Sequence, residues 1–283
     1  MIENIFEQHR QDQVRKAEEH EALRNSPEYQ EQLIFLRRTI FDLVTTLRLC
    51  TVAASRWQKF TDDYLFSRHI DDLVEAASIV QFAIENGALN SARRELRFIL
   101  EVAVNIAFVD EVRARDTFEE RIDFYRGKRV SKSNVDHIRE LPLRLLPAHK
   151  EQFASSVVKA WVKATNYVHL TKRRVDEKLE LRARGVELGF ESIEMLKEVV
   201  DEVHEVCSIV IVLAFETIGP SFTGDLIVDN LDTMEEWAFH ASGYVALIDA
   251  YFDYKHERKH KLSQLAEQRK GRLRYQAELL NSL

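Results

Sequence analysis

The first group of side chains that could do chemistry lies along one apolar segment. Four polar residues recur there at intervals of four: Arg93, Arg97, Glu101 and Asn105. Residues four apart lie on the same face of a helix, so the spacing predicts one polar stripe on an apolar helix. A buried carboxylate needs a donor, and we expect Arg97 and Glu101 to form a buried structural pair. The alternative is a functional cleft lined by the stripe.

A second candidate segment surrounds His169. Residues 166 to 173 read Asn-Tyr-Val-His-Leu-Thr-Lys-Arg and join an expected apolar helix to a charged one. A histidine at such a junction, with Lys172 and Arg173 about one turn on, can act as an acid or base near neutral pH or bind a phosphate. It can equally be a core histidine whose ring is satisfied by its neighbours.

Together, Arg-Arg-Glu-Leu-Arg-Phe-Ile-Leu-Glu at 93 to 101 and Asn-Tyr-Val-His-Leu-Thr at 166 to 171 resemble the HEPN-related helical proteins of prokaryotes, over roughly residues 35 to 215. Many proteins of that superfamily are metal-independent ribonucleases, often toxins or anti-phage effectors, whose paired arginine and histidine meet at a dimer cleft. The resemblance implies that His169 moves the proton of a ribose 2′-hydroxyl while Arg97 steadies the phosphate charge. The RNA would then be contacted by Arg93, Asn166, Lys172 and Arg173.

The sequence departs from that family at its motif, which has an arginine, four to six residues and then a histidine. Before His169 that position is held by Lys163. The alternative function is therefore a non-catalytic helical scaffold or interaction module on the same fold. It would assemble as a homo-oligomer or with a partner protein.

A third interpretation comes from residues 256 to 260, His-Glu-Arg-Lys-His, which match the H-E-x-x-H pattern of zinc peptidases. On a helix, His256 and His260 would face one way and Glu257 could activate a water. Four neighbouring Lys and Arg residues would oppose a dication, and no third ligand is evident. We therefore expect no metal and no cofactor, with these three residues as the remaining metal candidates.

The elements that must position these residues are helices. Only 8 Gly and 4 Pro occur in 283 residues that are 45% hydrophobic, which is too few turn residues for a sheet-rich fold. We predict an all-α protein, a multi-helix bundle of six or more helices with an extended C-terminal helix. Helix starts are indicated by capping residues at Ser26, at Thr117 with Glu120, at Ser192, and at Thr233 with Glu236.

Composition divides the chain into three parts. Residues 1–25 predict a polar helical arm, residues 26–220 an HEPN-like helical bundle core, and residues 221–283 a linker followed by a long basic helix from Thr233. The last 31 residues carry eight Lys and Arg against four Asp and Glu, so they are +4 in a chain of net charge −7. Leucines at 262, 265, 273 and 280 predict docking to a partner helix or packing on the chain's own core.

The sequence also predicts a cytoplasmic location. Cys50 and Cys207 lie among apolar neighbours, as expected of buried thiols in a reducing cytoplasm. The first 24 residues lack an apolar h-region, so we expect no signal peptide. The longest apolar run, 206 to 215, is about half the length that spans a bilayer, so we expect no membrane contact. The expected partners are a second copy of the chain, RNA, or a protein bound by the C-terminal helix.

Overall fold

The computed structural model describes residues 2–128, 134–167, 175, 179, 189–234 and 236–267. Within these residues the chain forms helices and no strand, which confirms the predicted all-α multi-helix bundle. The α-helices are α1 Ile2–Arg24, α2 Pro27–Ala54, α3 Gln58–Asp63, α4 Leu65–Glu85, α5 Leu89–Val112, α6 Phe118–Lys128, α7 Asn134–Glu140, α8 Lys150–Thr165, α9 Ile193–Asp229 and α10 Gly243–Tyr251.

Three helix starts follow the capping residues of the sequence. Ser26 accepts a hydrogen bond from the backbone N–H of Tyr29 at 3.3 Å, and Ser192 accepts one from the N–H three residues on at 3.4 Å. The Glu120 carboxylate accepts the N–H of Thr117 at 2.8 Å, while the Thr117 hydroxyl accepts the N–H of Glu120 at 3.4 Å. Each cap satisfies donors that a helix start leaves unpaired, so these starts are fixed locally.

Helix α9, with 37 residues, is the extended helix of the C-terminal half and the centre of the bundle. It packs against α2 and α5, and α4 lies against both of those helices. Every residue from 206 to 218 is buried. By length and composition α9 could cross a membrane, but 78% of its most apolar window is buried inside the bundle, as in a core helix.

Gly219 followed by Pro220 predicts the end of a helix, and the structure has a kink in α9 at this position. Gly219 adopts φ 82° and ψ 167°, a conformation that residues with a side chain rarely adopt. Pro220 then begins a new helical segment, where its missing N–H needs no partner. Leu226 and Ile227 of that segment are buried, so residues 221–231 are not the linker that the sequence indicated. Their apolar side chains keep them in the core.

The helix expected from Thr233 is replaced by shorter elements. Turns of 3₁₀ helix occupy Leu231–Thr233, Ala238–Ala241 and His256–Arg258, with α10 between the second and third. Arg258 is fully buried, and its ion-pair partners are Asp232, Asp249 and Asp253. A continuous helix could not bring Arg258 to an aspartate 26 residues earlier, so the segment folds back. Residues 262–267 are helical, and the predicted basic helix beyond residue 267 lies outside the described residues.

Glu216 of α9 holds the loop between α7 and α8. Its carboxylate accepts the backbone N–H groups of Arg144 and Leu145, each at 2.8 Å. Leu143, just before them, has φ 47°, a left-handed conformation that is costly for leucine. The Glu216 carboxyl is 3% exposed, and burial raises its pKa to about 7 although the loop N–H groups oppose that rise.

We predict that Glu216 makes the fold less stable as the pH rises from 4.5, its ordinary pKa, to about 7. In that window the folded chain keeps a proton that the unfolded chain has lost, so the free energy of unfolding falls as the pH rises. The pKa difference corresponds to about 3 kcal/mol. Urea unfolding at about pH 5 and about pH 8 should give a smaller difference for Glu216→Gln than for the wild type. Equal differences would contradict the assignment.

Candidate functional site

Helix α5 carries the polar stripe to the place where it meets α8 and α9. Arg93 donates two hydrogen bonds to Glu202 of α9, from Nε to Oε2 at 2.7 Å and from Nη2 to Oε1 at 2.9 Å. Arg93 is 4% exposed and Glu202 is 7% exposed. The ion pair expected on this helix therefore exists with another arginine and with a carboxylate 109 residues away.

The structure does not contain the buried pair of Arg97 with Glu101 that the sequence predicted. No ion pair joins these two side chains, both of which the structure describes. Glu101 follows Phe98 on the same face of α5, and Phe98 is 45% exposed, so the carboxylate reaches water and needs no buried donor. The Arg97 guanidinium instead lies 5.4 Å from the centre of the Trp161 ring of α8.

Lys163 of α8 completes a charge cluster, which we define as Arg93, Lys163, Glu198 and Glu202. The Lys163 Nζ lies 3.0 Å from Glu202 Oε1 and 3.3 Å from Glu198 Oε1, and Glu198 Oε2 lies 3.4 Å from Arg93 Nη2. Burial alone would lower the pKa of Arg93 and of Lys163, but the adjacent carboxylates outweigh it and raise both values. The cluster thus links three helices through permanent charges.

The C-terminal end of α8 reaches the same place. Tyr167 presents its ring 4.5 Å from the Arg93 guanidinium, and Asn166 caps the helix just before it. The two segments that the sequence singled out therefore lie together as far as the structure describes them. His169, Lys172 and Arg173 fall outside the described residues, so their proposed roles stay predictions.

Arg93 cannot serve as the substrate contact that the sequence predicted. Its guanidinium is buried and its donors face Glu202, so a phosphate would have to displace a bidentate carboxylate. Asp201 and Glu205 add carboxyl groups whose pKa values are raised by burial. The cavity beside Lys163, Glu202 and Glu205 measures about 10 Å³, room for about one water. The cluster therefore excludes a nucleotide.

Asn105, the last residue of the polar stripe, is buried and contacts another helix. The Oδ1 of Asn105 lies 2.8 Å from Nδ1 of His137 on α7, and the His137 ring stacks on Phe108 at 4.3 Å. Asn105 is 4% exposed and His137 is 3% exposed. This end of the stripe thus fixes α7 against α5, a contact that sequence spacing did not indicate.

The structure does not give residues 256 to 260 the α-helical geometry that the zinc interpretation requires. His256, Glu257 and His260 are exposed, and the first two lie in a 3₁₀ turn that ends at Arg258, so no α-helix aligns the two histidines on one face. The described part of the chain contains no group of three His, Cys, Asp or Glu placed to hold a metal ion. Arg258, inside the motif, is a structural anchor.

Sequence reasoning missed Glu202, Lys163 and Trp161. A signal for the first was present, because Glu198, Glu202 and Glu205 recur at i, i+4 and i+7 and form an acidic stripe on α9. That stripe is complementary to the basic start of the α5 stripe. Matching two charged stripes between helices would have identified the α5–α9 contact.

We predict that Glu202→Leu destabilises the protein by about 3 to 5 kcal/mol, because Arg93 then stays buried without its acceptor. The double variant Arg93→Met with Glu202→Leu removes both charges and should recover most of the loss. Chemical denaturation measures both quantities. As a control, Glu198→Leu alters a side chain that is 54% exposed and should cost under about 1 kcal/mol. A double variant less stable than Glu202→Leu alone would contradict the predicted recovery.

Comparison with known proteins gives no relative to set beside this geometry. No family model, no curated protein and no solved structure matches the chain. The resemblance to HEPN-related proteins therefore stays a prediction from the two segments that carry it.

Proposed function

We propose that this chain is a non-catalytic helical scaffold that works as a homodimer, paired through the outer face of α2. The neutralised charge cluster supports a structural use of the polar stripe, since its arginine and carboxylates satisfy one another. The observation that carries the proposal is an apolar stripe on α2 that faces water. Its composition is that of a protein contact surface.

The stripe consists of Ile34, Phe41 and Val52, which are 62%, 65% and 67% exposed. Intervals of 7 and 11 residues equal about two and three helical turns, so the three side chains line up on one face over about 27 Å. The opposite face of α2 is already buried in the core, for example at Leu36 and Leu43, both 0% exposed. The exposed stripe is therefore additional to what the monomer fold requires.

A second copy of the chain is the occupant that the stripe fits best. Ile34 and Val52 each lie nine residues from Leu43. A two-fold axis that crosses the outer face of α2 at the level of Leu43 would place Ile34 of one antiparallel copy against Val52 of the other. The same axis brings Glu31 close to the level of Arg56 of the second copy. Glu31 is exposed, and Arg56 is 66% exposed with its nearest carboxylate oxygen 3.7 Å away. This arrangement thus pairs Ile34 with Val52 and brings Glu31 near Arg56.

We predict that Phe41→Glu converts a dimer to a monomer without loss of fold, because the glutamate would be desolvated near the two-fold axis. Sedimentation equilibrium over a range of chain concentrations measures the mass, and circular dichroism checks the fold. The matched control is Phe98→Glu on α5, at an aromatic residue that is 45% exposed and should leave the dimer intact. A wild-type monomer, or a Phe41→Glu dimer, would refute the pairing.

A charge exchange tests the antiparallel register in the same measurement. Glu31→Arg and Arg56→Glu should each weaken the dimer several-fold, because each places like charges together twice in a symmetric pair. The two changes combined in one chain should restore it. Failure of the combination to restore the dimer would reject this register.

RNA cleavage is the second candidate function, favoured by a specific observation. Arg97 Nε and Trp161 Nε1 are buried donors that find no acceptor among the described residues. They lie beside the end of α8, and Arg93 touches Tyr167 two residues before His169. A phosphate oxygen is an acceptor that both N–H groups could use. In this function His169 is the acid and base, Arg97 with Lys172 and Arg173 contacts phosphate, and the protein acts as a toxin or in antiviral defence.

The nuclease candidate predicts that purified wild-type chain cleaves RNA without added metal and slows growth when expressed. His169→Ala should abolish both effects, and Arg97→Ala should lower cleavage by about 100-fold. Arg94→Ala, at an exposed arginine of the same helix, is the control that should leave cleavage unchanged. Absence of cleavage by the wild type, or activity that survives His169→Ala, leaves the scaffold as the function.

A further inference from the structure

A separate surface combines exposed aromatic rings with exposed cations. It lies at the end of α10 and in the segment that follows, where Tyr254 is 71% exposed and Tyr251 is 48% exposed. The two ring centres are 6.2 Å apart with their planes at 90°. Phe252, between them in sequence, is 0% exposed. Two aromatic faces therefore remain in water while their neighbour is in the core.

Three contacts hold this segment in place, so the exposed rings are not those of a loose end. The Phe252 ring packs so closely on α9 that a Cβ at Gly224 would lie 2.8 Å from it. Lys255 forms an ion pair with Asp225 of α9. Arg258 is 0% exposed and forms ion pairs with Asp232 and Asp249. The tyrosines are thus presented on a fixed backbone.

The charges around the rings favour an anionic partner. Lys259 and Lys261 are exposed and form no ion pair within the described residues, and His256 and His260 are exposed beside them. The segment's aspartate, Asp253, already contacts Arg258 at 3.3 Å. This local excess of cations stands out in a chain of net charge −7. Phosphate groups would find two exposed lysines here that form no ion pair within the described residues, against the exposed carboxylate of Glu257.

We propose that Tyr251, Tyr254, Lys259 and Lys261 bind a single-stranded nucleic acid, with bases stacked on the rings and phosphates against the lysines. Exposed aromatic faces beside free cations are the combination that non-specific single-strand binders use. An acidic protein would use the lysines but would leave the two rings in water. The proposal is independent of dimerisation through α2 and of any cleavage at His169, because it uses neither surface.

Fluorescence anisotropy with labelled oligo(U) and oligo(dT) of about twelve nucleotides tests the surface on the full chain. Tyr254→Ala should weaken binding by about tenfold, and Tyr254→Phe should retain it because the stacking face is kept. Lys259→Ala combined with Lys261→Ala should lower the slope of log Kd against log salt by about one to two. Tighter binding of oligo(U) would identify RNA as the ligand, and tighter binding of oligo(dT) would identify DNA.

Two controls distinguish binding at this surface from non-specific binding. Phe98→Ala removes a ring that is 45% exposed on α5 and should leave affinity unchanged. Labelled polyglutamate should bind more weakly than either oligonucleotide, and its binding should not respond to Tyr254→Ala. The proposal is overturned if Tyr254→Ala binds the oligonucleotides as the wild type does. It is equally overturned if polyglutamate binds the wild type as tightly as they do.

Discussion

The buried ion pair between Arg93 and Glu202 is the contact on which the arrangement of the bundle depends. Helices made of Val, Leu, Ile and Ala can slide and rotate against one another with little change in buried apolar area, since that attraction is non-directional. A bidentate contact between a planar guanidinium and a carboxylate fits one register only. Glu202 lies on α9, which also packs on α2, so the pair joins α5 to the helix that covers the inner face of α2.

Local features were predictable and long-range partners were not. The caps at Ser26, Thr117 and Ser192 are contacts within four residues, so side-chain chemistry in the sequence specifies them. The choice of Arg93 over Arg97 as the buried cation depends on which side of α5 receives α9, and no local pattern states that. The same holds at Gly219, where the residues predict a break but the burial of later apolar side chains decides that the helix resumes.

The polar groups of the interior and the surfaces that remain have different uses. In the interior, polar side chains join one element to another, as Arg93, Asn105 and Arg258 do. Outside, α2 offers an apolar face and the segment after α10 offers rings with cations, and neither is required by the monomer core. The helical scaffold proposed above, which pairs with itself and carries a nucleic-acid surface, would account for both. Function on this view lies in what the fold leaves exposed.

Two buried carboxyl groups connect the folding of this chain to the proton content of its surroundings. Asp110 forms a buried ion pair with Arg121, yet burial raises its pKa to about 6, as it raises that of Glu216 to about 7. In mildly acidic solution the folded chain therefore takes up protons that the unfolded chain releases. Refolding in a weakly buffered medium at such acidity would turn the medium more alkaline, and a calorimeter would record a heat that varies with the ionisation enthalpy of the buffer.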